Sequence, residues 1–255
     1  MKLNVISLAI GIFAGAFGGL IGIGGGLIMI PLMMLFLKFG QHQAHGTSLV
    51  ALIFTGISGA IIYGLHGSVD YAAAFALALP AIFTARLGAK YAHSLAEWKL
   101  RKNFGIFLFF CAMMLFFKPY MGNAIVVTSP AFLIIIFVIA GAATGFLSGM
   151  MGVGGGTIMV PVMVLLAGFS QHLAQGTSLL VMVPAGIVGA FTHWRLGNVN
   201  NKILYGLIIG ILAGTYLGGY LAHLIPENVL RLIFVTIMIM LSFRYIKTGY
   251  PKEVE

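Results

Sequence analysis

Long apolar runs separated by short polar stretches dominate the hydropathy pattern of this chain. The pattern predicts five helical segments, at residues 5–21, 27–37, 46–65, 71–93 and 103–117, and a second set about 130 residues further on. The longer runs reach the roughly 20 apolar residues that cross a bilayer. The second segment, about 11 residues long, rises only about 16 Å, roughly half of a hydrocarbon core. We therefore expect it to be a broken or re-entrant half-helix inside the membrane.

The composition narrows the class of protein. Hydrophobic residues make up 60% of the 255 residues, charged residues only 7%, and the mean hydropathy is +1.08. A soluble chain of this length needs more polar residues to cover its surface, so the prediction is an all-α polytopic membrane protein. The net charge of +9 does not indicate a nucleic-acid partner, because the cations lie at the ends of apolar runs, where lipid headgroups are.

The chain contains an internal duplication. GIGGGLIMIP (residues 22–31) returns as GVGGGTIMVP (residues 152–161), and QHQAHGTSLV (residues 41–50) returns as QHLAQGTSLL (residues 171–180). The offset is 130 residues in both cases. We therefore predict two repeats of about five segments each, residues 1–120 and 128–255, joined by a linker at 119–130 within one transmembrane domain.

The distribution of charge predicts the orientation of the repeats. If the glycine-rich break turns the chain back, each repeat has an odd number of crossings and the two are inverted. Every Lys and Arg except Lys118 and Arg231 then falls on one side, as the positive-inside rule requires. This favours inverted repeats in the cell (plasma or inner) membrane with both termini cytoplasmic. Inverted repeats with broken helices are typical of secondary transporters.

The two GxGGG clusters are the first candidate site. Their glycines allow positive φ and leave N–H groups uncovered at the start of a half-helix, where an anion is stabilised. Close helix packing through small residues is the alternative, and it explains the glycines at four-residue spacing from Gly206 to Gly218. The predicted anion-binding residues of the clusters are Gly24, Gly25, Gly26, Gly154, Gly155, Gly156 and Thr157.

The HGTS and QGTS motifs are the second candidate site. A Gly before Thr and Ser and an apolar run predicts a helix N-terminus, with hydroxyls that cap free N–H groups. Capping alone is one interpretation, and neutral donors to an oxyanion are the other. The residues are His45, Gly46, Thr47 and Ser48 in the first repeat and Gln175, Gly176, Thr177 and Ser178 in the second. Inverted symmetry predicts that each glycine cluster meets the GTS motif of the other repeat.

Charged residues within the spans are few. Arg86 lies inside an apolar run, either as a side chain reaching the interface or as a cation that attracts substrate. Acidic residues such as Asp70 and Glu227 lie at segment ends, which disfavours a cationic substrate. The chain has no GxxxxGK[ST] motif and a single cysteine, and we expect no cofactor, no metal and no enzymatic activity.

The doubled GxGGGxxxxP, each copy followed by QxxAxGTS, resembles the TauE/SafE sulfite exporter family over nearly the whole chain. The resemblance implies a permease for small sulfur-containing anions such as sulfite and sulfonates, including sulfoacetate. The function predicted is a secondary transporter or exporter of such anions. An anion channel or facilitator, or a permease for other small organic acids, is the alternative. The expected partners are the anionic substrate and the lipid bilayer, and a homodimer is compatible with this prediction.

Overall fold

The computed structural model describes residues 2–91, 97–121 and 126–247, which form α-helices joined by turns. The helices of the first repeat are α1 (Lys2–Ile21), α2 (Gly26–Phe36), α3 (Gln41–Leu65), α4 (Tyr71–Tyr91) and α5 (Glu97–Met121). Those of the second are α6 (Pro130–Met151), α7 (Gly156–Leu166), α8 (Gln171–Arg195), α9 (Asn201–Leu224) and α10 (Glu227–Lys247). The prediction of an all-helical protein is confirmed.

Helix length separates two kinds of element. Within the described residues, seven helices (α1, α3, α4, α6, α8, α9 and α10) are long and apolar enough to cross a membrane. Helices α2 and α7 have 11 residues each, and both begin directly after a glycine cluster, at Gly26 and Gly156. The prediction of one short segment per repeat is therefore confirmed, and the chain is a multi-pass integral membrane protein.

Small residues let two pairs of helices pack backbone to backbone. In the α1–α9 pair, a Cβ on Gly206 would press on the carbonyl of Asn4, and one on Gly218 on the carbonyl of Ala16. Contacts advance in the same direction along both helices, so the pair is parallel. The glycines of α6 pack on α4 in the same way. The interpretation of the Gly206–Gly218 stripe as close packing is confirmed.

Two other pairs contact each other in reverse order. Gly56 of α3 approaches Val183 of α8, whereas Gly189 further along α8 approaches Leu49. Helices α5 and α10 show the same reversal, since the Phe104 ring lies 5.8 Å from that of Tyr245 while Pro119 lines a pocket with Asn228. These two pairs of equivalent helices, α3 with α8 and α5 with α10, are therefore antiparallel neighbours.

The two glycine-rich breaks meet inside the bundle. Gly22, Gly24 and Gly25 have φ of 72°, 93° and 69°, and the second break has φ of 64° at Gly152 and 50° at Gly154. Only glycine adopts these angles without strain. The start of α2 packs on the Gly152 carbonyl and the start of α7 packs on the Gly22 carbonyl, so each half-helix begins against the break of the other half.

The prediction that the GTS motifs begin helices is wrong. Helices α3 and α8 begin at Gln41 and Gln171, before the motifs, which lie inside the helices. Ser170 Oγ accepts a hydrogen bond from Leu173 N (3.2 Å) and caps α8 instead. The first turns are helical despite their polar residues because they are packed on one side, with Ala44 and Ala174 fully buried.

Two further boundaries differ from prediction. Helix α5 runs from Glu97 to Met121 rather than over 103–117, so its last residues occupy the start of the predicted linker. The predicted end of the fourth segment, residues 92–93, and residues 122–125 of the linker lie outside the described residues.

Candidate anion site

The glycine breaks leave part of the backbone without acceptors. Ile158 N and Met159 N both donate to Gly155 O (3.2 Å each), which closes the first turn of α7. Within the described ranges, the N–H groups of residues 154–156 have no acceptor, and neither do those of Gly24 and Gly25. These N–H groups lie at helix starts, where the helix dipole favours negative charge.

The breaks themselves are closely packed. A side chain on Gly24 would meet Leu52 Cδ2 and Met182 Sδ, each at 2.7 Å. Thr144 and Met159 occupy the space beside Gly155. The uncovered N–H groups therefore lie in a tight interior and face at most a small space in this conformation.

The two serines of the GTS motifs tie each break to the opposite half. Ser48 Oγ lies 2.9 Å from Gly152 O, and Ser178 Oγ donates to Gly22 O at 2.7 Å. The predicted contact between each glycine cluster and the GTS motif of the other repeat is therefore present. Both hydroxyl hydrogens point at carbonyl oxygens here, so the serines position the breaks.

The two threonines hold the loops before α9 and α4. Thr47 Oγ1 accepts from Asn200 N (3.1 Å), and Thr177 Oγ1 accepts from Asp70 N (2.9 Å). Gly46 and Gly176 allow these loops to approach, because a Cβ at either position would overlap a loop carbonyl. The GTS residues thus connect α3 and α8 to the other half of the bundle.

A cavity of about 240 Å³ opens beside the second break. Arg244, Gln41, His45 and Tyr245 supply its polar lining, and His45 is only 4% exposed. The remaining lining residues are Leu27, Ile30, Pro31, Met34, Met151, Val153 and Leu241. The volume lies just below the range of about 300–1,000 Å³ that is usual for ligand sites, which suits a small ligand.

A smaller chamber lies behind the cavity, against the start of α7. It has a volume of about 10 Å³, room for one water-sized species. Thr144, Ser148 and Thr157 line it together with Gly154 and Gly155, and Met151 and Val153 border both the chamber and the cavity. Thr144 Oγ1 is buried and has no hydrogen-bond partner among the described residues.

The predicted residues thus fall into separate places. His45, from the first half, lines the cavity, and Gly154, Gly155 and Thr157, from the second half, line the chamber. Gln175 is fully buried elsewhere, and Arg86 is exposed on α4, outside both spaces.

Sequence reasoning missed Arg244, Gln41, Tyr245 and Thr144. Arg244 is a typical flanking cation in the sequence, and only the fold brings it to His45. Gln41 carried a signal, because it recurs as Gln171 in the second repeat.

Comparison with known families identifies the chain. The profile of the sulfite exporter TauE/SafE family matches residues 7–245. The chain belongs to the TauE/SafE sulfite exporter family. The resemblance deduced from the glycine and GTS motifs is therefore confirmed.

Relatives of this TauE/SafE protein carry transporter names. The probable membrane transporter protein YunE of Bacillus subtilis is 27% identical, over 96% of this chain and 98% of its own length. YdhB, also a probable membrane transporter protein of B. subtilis, is 28% identical over 86% and 90%. A probable membrane transporter protein of Xylella fastidiosa is 25% identical over 94% and 95%. No solved structure matches. The TauE/SafE chain is thus a membrane transporter and not an enzyme.

Proposed function

We propose that this protein is a secondary transporter that moves small sulfur-containing anions, such as sulfite or sulfoacetate, across the cytoplasmic membrane. The observation that carries this proposal is the cavity between the two halves, which combines one arginine with His45 and Gln41. None of the described residues that line it is acidic. A guanidinium offers paired N–H donors to an oxyanion, and neutral donors deeper inside hold the anion after it has lost water.

The proposed architecture is a pair of inverted repeats. The support is the antiparallel packing of equivalent helices, α3 against α8 and α5 against α10. Gln41 and Arg244 line the cavity, so the start of α3 and the end of α10 lie at the cavity end of the bundle. Short turns join α3 to α4 and α8 to α9. Helices α2 and α7 are then re-entrant half-helices that meet near the centre of the membrane.

The proposed orientation follows from the cations. In the described part of the chain, the basic residues other than Lys118 and Arg231 belong to the helix segments and turns at the cavity side. They are Lys2, Lys38, Arg86, Lys90, Lys99, Arg101, Lys102, Arg195, Lys202, Arg244 and Lys247. The positive-inside rule makes this the cytoplasmic side, with both termini cytoplasmic. The membrane potential then favours anion export by about 2.3 kcal/mol per charge per 100 mV.

A carrier is favoured over a channel. At the other end of the bundle, the equivalents of the cavity residues Gln41 and His45 are buried: Gln171 and Gln175 are both 0% exposed. A channel needs a continuous wetted path, whereas a carrier opens one side at a time.

The test is flux through the purified protein in liposomes, with sulfite, sulfoacetate, thiosulfate, sulfate and chloride compared. We expect a sulfur oxyanion to be carried faster than chloride. The Arg244→Gln variant should lower that flux about tenfold or more, because a charge-assisted hydrogen bond is worth roughly 1.5–3 kcal/mol.

Arg195→Gln is the matched control. Arg195 lies at the same end of the bundle, with its guanidinium 4.5 Å from the Phe191 ring centroid, and it does not line the cavity. An equal loss of flux in both variants would show that only the general surface charge matters and would contradict the site. If electrical recording shows single-channel current steps, the protein is a channel and the proposal of a carrier is wrong.

A further inference from the structure

The internal repeat gives every cavity residue an equivalent at the other end of the bundle. Adding 130 converts Gln41 to Gln171, His45 to Gln175 and Met34 to Val164. The cavity residue Met34 is 40% exposed, whereas Val164 is 1% exposed and both glutamines are fully buried. The cavity end is thus open at Met34 and Gln41, whereas the other end is closed at the two equivalent positions, Val164 and Gln171.

The closed end contains buried side-chain polar atoms that lack a hydrogen-bond partner in the part of the chain that the structure describes. Both side-chain polar atoms of Gln171 and the Nε2 of Gln175 have no hydrogen-bond partner within the described ranges. Gln175 Oε1 accepts one bond, from Tyr63 Oη at 3.0 Å. Burying an unpaired amide is unfavourable, and native proteins retain few such groups, so these atoms call for a functional explanation.

Two contacts close this end. Lys118 of α5 donates from Nζ to the carbonyl of Val164 near the end of α7. Glu227 of α10 accepts from Gln171 N, 2.9 Å from its Oε1. Both contacts fasten the α7–α8 corner to the helices that cover it.

We propose that Gln171 and Gln175 form a second binding site for a small oxyanion, closed in this conformation and opened when Lys118 leaves Val164. The proposal rests on the proposed transport function and names the outer half of its pathway. The glutamine NH₂ groups are neutral donors that suit an oxyanion. Lys118 supplies the cation at this end, as Arg244 does at the cavity end.

Thiol labelling tests the closure without reference to any substrate. Met34→Cys and Val164→Cys are made separately in a Cys111→Ala background and labelled in liposomes with a membrane-impermeant maleimide. We expect Met34→Cys to react rapidly and Val164→Cys to be protected. Adding Lys118→Met should raise the labelling rate of Val164→Cys about tenfold, since it removes a hydrogen bond from a charged donor.

Arg231→Met is the matched control. Arg231 is the other described cation at this end, and its guanidinium bonds within α10 to Asn228 Oδ1 (2.7 Å). Because the positive charge of Arg231 repels that of Lys118, its removal should leave the Lys118–Val164 contact in place and should not raise the labelling of Val164→Cys. If Lys118→Met does not raise that labelling, or Arg231→Met raises it equally, the proposed closure is wrong.

Gln171→Leu tests binding. Since the Gln171 side chain has no hydrogen-bond partner among the described residues, leucine should leave the melting temperature unchanged or higher, while anion flux should fall about tenfold or more. If the Gln171→Leu variant carries the anion at the wild-type rate, the proposed binding site is wrong. A loss of flux together with a lower melting temperature would also contradict it. If the wild-type protein carries none of the anions, the transport proposal fails, whereas the labelling result still decides the closure.

Discussion

Replacing Gly22 with alanine measures how much the meeting of the two repeats contributes to stability. Gly22 has φ of 72°, and a Cβ there would lie 2.6 Å from Gln175 Cβ and 2.8 Å from its Cα. Gly67 has a similar φ of 67°, but nothing lies within 4 Å of a Cβ built on it. The two glycines therefore share the backbone conformation and differ in packing.

The magnitudes follow from these two terms. A left-handed conformation costs alanine roughly 1–2 kcal/mol, and the loss of unfolded-state freedom returns about 0.4–1 kcal/mol. Gly67→Ala should therefore lower the free energy of unfolding by about 1 kcal/mol. Gly22→Ala adds an overpacking term of roughly 1–3 kcal/mol, for a total of about 2–4 kcal/mol.

Thermal unfolding of the detergent-solubilised protein is the assay. For a chain of this length, about 1 kcal/mol corresponds to a shift of roughly 2–4 °C, so Gly22→Ala should melt several degrees below Gly67→Ala. Gly152→Ala should resemble Gly22→Ala, because its Cβ would lie 2.6 Å from Ser48 Oγ. Equal melting temperatures for Gly22→Ala and Gly67→Ala would refute the tight contact between the break and α8.

Two further predictions concern buried hydroxyls. Thr177→Val removes the acceptor of Asp70 N and should lower the free energy of unfolding by roughly 1–3 kcal/mol, since it leaves a backbone N–H unpaired. Thr192→Val is its control: the Thr192 hydroxyl bonds within its own helix, so this variant should melt close to wild type. Tyr63→Phe removes the hydroxyl that contacts Gly19 O and Gln175 Oε1 and should lower the melting temperature by about 2–4 °C. The exposed Tyr71→Phe is its control, and equal shifts would contradict the role of Tyr63.

Local features of the sequence were enough to predict the positions of the helices and the family. Hydropathy located the spans, and the glycine clusters located the starts of α2 and α7 to within one residue. Both depend on nearest-neighbour effects, namely the length of an apolar run and the positive φ of glycine. The repeated motifs also predicted which parts of the two halves would touch.

The GTS motifs show where local reasoning failed. Gly-Thr-Ser before an apolar run has the composition of a helix start, yet α3 and α8 include the preceding Gln and His residues. The free N–H groups that Thr47 and Thr177 cap belong to loops of the other half of the bundle. A sequence window cannot reveal a partner more than a hundred residues away.

By itself, the sequence determined the membrane class, the duplication and the positions of the two breaks, because apolar length and glycine content act locally. Only the tertiary structure decided that Arg244 and His45 line one cavity, and that Gln41 lines this open cavity while its equivalent Gln171 is buried. The physical reason is that near-identical motifs have equal local preferences. Packing over the whole bundle selects which of the two ends is open.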